Sequence, residues 1–114
     1  MKDPKTKKKR YRVKITVVRT TKTSEFWGDK LPVTAEMDDQ CSIFREGQEF
    51  VIEAFRPKVP QGFCSWAWRD LLQIITALRC GADFPWTKEE ATSLHCCTDG
   101  WRPVFFRLER IEDC

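Results

Sequence analysis

Only one segment of this 114-residue chain carries a long helical period of apolar residues, and that segment decides what the rest must do. In residues 64–80, Trp68, Leu71, Leu72, Ile75 and Leu78 recur at spacings of three and four, laying one apolar stripe along a helix. Ser65 is placed to cap its start, and Gly81 to close it from the C′ position. A single helix cannot bury its stripe against itself, so the remaining apolar residues must supply a sheet. Residues 11–20 alternate as a strand requires, with Val13, Ile15 and Val17 on one face and Arg12, Lys14 and Thr16 on the other. Residues 48–55 put Phe50, Ile52 and Ala54 on one side, and Val104, Phe106 and Leu108 alternate with Phe105, Arg107 and Glu109. The order strand, irregular segment, strand, helix, strand predicts a small α+β fold. It is a single domain over residues 11–114, an antiparallel or mixed sheet covered by one main helix at about 64–80.

The connections follow from their breakers. Gly28 and Pro32 interrupt residues 21–40, where Phe26, Trp27 and Leu31 are expected to fold back on the body. Gly47 is a turn position, and Pro57, Pro60 and Gly62 stiffen the loop ahead of the helix. Thr87 and Glu90 have capping-box spacing, which predicts a short helix within residues 82–94.

The formal charge of +3 is unevenly placed. Lys2, Lys5, Lys7, Lys8, Lys9 and Arg10 stand against Asp3, so residues 1–10 read as a basic flexible arm and residues 11–114 keep a net −2. A charge run of this kind is a solvated tail. The acidic body, with no basic and aromatic residues interleaved on a strand, argues against nucleic acid as a partner. No apolar h-region follows the arm, and residues 71–78 are too short and too polar to span a bilayer, so no membrane role and a cytoplasmic location are expected. There thiols stay reduced, and the six cysteines become candidates for metal ligation, thiol chemistry or plain burial rather than disulfides. Cys80 lies sixteen positions after Cys64, a rotation of roughly 160° at about 100° per residue, so one straight helix cannot aim both at a shared site.

Three blocks, residues 41–50 (CSIFREGQEF), 62–68 (GFCSWAW) and 96–105 (CCTDGWRPVF), resemble a family of small, mostly stand-alone prokaryotic proteins that is common in anaerobes and has no established biochemical role. The resemblance covers roughly residues 11–111 and omits the basic arm. It implies that the recurring cysteines of that family correspond to Cys41, Cys64 and Cys96. Many members carry a histidine shortly after the first of these, where this chain has Arg45, and many have proline after the third, where it has Cys97.

The candidate metal set is therefore Cys41, Cys64 and Cys96, with Cys97 and His95 as further ligands, for zinc or an iron–sulfur cluster. No Cys-x-x-Cys pair is present, so such a site is assembled only by folding. If residues 94–97 are extended, His95 and Cys97 share one side and Cys96 faces the other. A thiol-redox protein using Cys64 with Cys41 or Cys96 is the alternative, and a structural or interaction subunit with buried cysteines is a further one. Trp66 lies about 200° from Trp68 on the helix, with Ile74 near its own side, so Trp66 and Ile74 are candidate interface residues for a homo-oligomer or a protein partner. His95 is the lone histidine, and no catalytic constellation has spacing that supports it. The sequence thus reads as a small accessory or binding protein rather than an enzyme.

Overall fold

A computed structural model describes residues 8–34 and 36–111; the first seven residues of the expected basic arm and the last three of the expected domain lie outside these. The chain runs β1 (Arg12–Arg19), α1 (Thr23–Trp27), β2 (Glu49–Ile52), α2 (Ser65–Arg79), β3 (Thr92–Cys96) and β4 (Phe105–Ile111). The four strands form one sheet in the order β2-β1-β4-β3, and every pairing is antiparallel. The α+β expectation holds, with α2 as the main helix on one face of the sheet.

The core is the meeting of two periods. Val13, Ile15 and Val17 of β1, Ile52 of β2, and Phe106 and Leu108 of β4 face inward at every second residue, against Ala67, Leu71, Ile75 and Leu78 of α2. Phe44, Phe50, Phe63 and Phe106 close one end through edge-to-face ring contacts, with centroids 4.9 to 6.1 Å apart among the T-shaped pairs. On the opposite face Lys14 reaches Glu49 at 3.8 Å and Glu109 at 3.6 Å, a solvated surface whose ion pairs contribute little each.

Three expectations about elements need correction. The buried stripe of α2 is centred on Ala67, Leu71, Ile75 and Leu78, so Trp68 is half-buried at its flank and Leu72 is 39 % exposed. At 100° per residue Leu72 lies well outside that stripe. The N-cap is Cys64 rather than Ser65, and it makes no side-chain capping bond, whereas Gly81 does follow the C-cap Cys80 with φ +97. Residues 82–91 hold turns in place of a short helix. The Asp83 carboxylate accepts the N–H groups of Phe84 and Ala91, both at 2.8 Å, and organises that loop before the chain enters β3.

α2 is fixed along the sheet at its far end. Tyr11 N–H donates to Arg79 O, and the Arg79 guanidinium donates twice to Ala54 O at the exit of β2. The near end of α2 is thereby held over the loops that build the candidate site.

Candidate functional site

The N-terminus of α2 opens on a cavity of about 290 Å³ lined by three cysteines from three separate segments: Cys41 ahead of β2, Cys64 at the helix N-cap, and Cys97 just after β3. The other walls are mainly apolar, with Met37, Ile43, Phe44, Trp66, Ala67, Trp101 and Val104. Each thiol is half-buried and packs against the hydrophobic core. A cavity of this size with few polar groups is typical of small-ligand sites.

The strand alternation decides which of the adjacent cysteines takes part. Within β3, Leu94 and Cys96 are exposed while Ser93 is buried and His95 half-buried, and Cys97 continues the inward set. Cys97 is thus brought to Cys41 and Cys64, and Cys96, which the family resemblance implied, is not. His95 is also elsewhere. It sits in a second hollow with Trp86, Leu94 and Arg107, its Nε2 is 2.7 Å from Ser93 Oγ, and burial holds its pKa below the ordinary value. Cys80 is exposed at the far end of α2. Of the candidate interface pair, Trp66 is 55 % exposed, and Ile74 is half-buried against the core.

The thiol of Cys97 accepts the Val104 N–H at 3.3 Å, and Cys97 N–H donates to Val104 O. Burial pushes this thiol above its ordinary pKa, the neighbouring Asp99 carboxylate adds to that, and the backbone hydrogen bonds oppose it. Trp101 keeps its indole Nε1 buried with no hydrogen-bond partner among the described residues.

The cavity rim is a tied loop. Asp70 of α2 accepts Thr98 N–H at 2.8 Å and the Thr98 hydroxyl, which in turn meets the Trp66 indole N–H. On the other side the Arg102 guanidinium donates to Asp38 O and Gln40 O, and Asp99 accepts Trp101 N–H and Arg102 N–H. Trp27 donates to Gly100 O, so α1 reaches the body by this bond, while Phe26 remains exposed, contrary to expectation. The Asp70–Thr98, Trp66–Thr98, Arg102 and Trp27 bonds are not legible in the sequence, because each joins residues far apart in the chain.

Among the described residues, no group of three or more His, Cys, Asp and Glu side chains is gathered closely enough to hold a metal ion, and no helix is long and apolar enough to cross a membrane. Comparison with family models, curated proteins and solved structures returns no match.

Proposed function

We propose that this chain is a small accessory protein that holds a soft, thiol-bound centre, an iron–sulfur cluster, in the cavity between Cys41, Cys64 and Cys97. The observation that carries this reading is the convergence of three cysteines from distant segments on one mainly apolar cavity. Thiolates are the ligands such clusters take. Around a single zinc ion four donors must meet at about 2.0–2.3 Å, which the described side chains do not offer, whereas the irons of a [4Fe–4S] cluster take one thiolate each, so that its ligand sulfurs stand farther apart. Bound there, a cluster would supply one-electron transfer.

The chain's own residues would do the rest. Cys41, Cys64 and Cys97 present the thiols, the Val104 N–H tunes the sulfur it already bonds, and Ile43, Phe44 and Trp101 limit water. The Asp70–Thr98 and Arg102 ties keep the third cysteine in place.

Anaerobic purification followed by iron, acid-labile sulfide and zinc analysis, with a visible spectrum, tests the reading. Near-stoichiometric iron and sulfide with charge-transfer absorption is the expected result. Zinc without sulfide would contradict the cluster, and neither metal after anaerobic reconstitution would overturn the proposal.

A further inference from the structure

The two edges of the sheet differ in what they offer a partner. Cys97 N–H bonds Val104 O, and Arg110 N–H bonds Ala91 O, which fixes the odd-numbered residues of β3 as those hydrogen-bonded to β4. Thr92, Leu94 and Cys96 therefore turn their N–H and C=O groups away from the sheet. The Thr92 end is closed, because Thr92 is buried and its hydroxyl bonds Glu90 O. Leu94, 65 % exposed, and the exposed Cys96 leave the rest of the edge open. By the same register, with Val17 N–H bonding Gln48 O, the β2 edge turns Glu49 and Val51 outward. The Glu49 carboxylate guards that edge against pairing with itself; β3 carries no charge, proline or bulge.

We infer that the open part of β3 is a self-association edge, on which a second copy of this chain pairs antiparallel about a two-fold axis at His95. In that register Leu94 of one copy lies opposite Cys96 of the other, and each pair exchanges both backbone hydrogen bonds. The outward peptide groups of Leu94 and Cys96 are then all satisfied. A second copy fits because this short edge is its own complement: two uncharged outward residues, two positions apart, that a two-fold axis exchanges. The surface beside the edge suits the same contact. Trp86, 76 % exposed, and Leu94 line a hollow of about 330 Å³ along it, and Trp66 is held at the Cys96 end by its bond to Thr98. Exposed aromatics of this kind are enriched where proteins meet.

Sedimentation of the full chain over a range of concentrations, with amide exchange on the same samples, tests the inference. The expected result is a two-chain mass at high concentration, slow exchange at Leu94 and Cys96 that is lost on dilution, and a single-chain mass for L94K. L94P gives a second variant, since the amide it removes faces outward and the ladder to β4 does not use it. V51K, on the guarded edge, keeps the two-chain mass. A single-chain mass at every concentration would overturn the inference. So would a dimer that survives both Leu94 substitutions, or protection at Glu49 and Val51 in place of Leu94 and Cys96.

Discussion

Cys96 and Cys97 are neighbours with opposite environments, and the pleat of β3 is the cause: one side chain stands on the open face and the next turns into the cavity. In the ligand-free protein near neutral pH, iodoacetamide should modify Cys96 well before Cys97, whose thiol burial holds in the protonated form. Fragmentation mass spectrometry of briefly labelled protein distinguishes the two, and equal rates would contradict the assigned alternation. Asp83 offers a second test at this scale. The two N–H groups it accepts hold its pKa below the ordinary 3.8. A carboxylate depressed in the folded state stabilises it above the unfolded pKa and loses that effect as pH falls through the folded value. The Tm advantage of wild type over D83A should be constant near neutral pH and should shrink below about pH 3.8.

Among the elements, α2 shows how far periodicity carries. Its existence, its length and its glycine stop are all legible in the sequence, because burial follows a local repeat. The exact centre of its stripe is not, since Leu71 and Leu72 are equally apolar and only the position of the sheet chooses between them. L71A should cost about 2–5 kcal/mol in denaturant unfolding, and L72A should stay within about 0.5–1 kcal/mol. Similar costs for both would place the stripe where the sequence alone puts it. β3 was harder to see for a different reason. Its inward residues include Ser93 and His95, so it lacks an apolar period, and pairing with β4 is what makes it a strand. The Thr87–Glu90 pattern fails as a helix start because Asp83 binds the backbone at Phe84 and Ala91 and folds the loop into turns.

The molecule as a whole is a sheet and a helix clamped at one end, with loops gathered over a cavity at the other. Strands β1, β2 and β4 and helix α2 can be read from local pattern, while the three cysteine-bearing blocks come from the resemblance alone. Which cysteine of the adjacent pair joins Cys41 and Cys64 can be read from neither, because that depends on the phase of an edge strand and on the tied loop after it. The ties predict their own effect. D70A removes the acceptor for Thr98 without touching the core, so it should leave the Tm nearly unchanged while amide exchange at Thr98 rises and reconstituted iron is lost faster. Iron retention equal to wild type would separate the loop from the cavity's role.

The most direct measurement compares C96S with C97S after identical anaerobic reconstitution, reading iron and acid-labile sulfide per chain. The account predicts that C96S retains both at the wild-type level, whereas C97S loses them as fully as C41S or C64S. Loss in C96S with retention in C97S would contradict the assignment of the site.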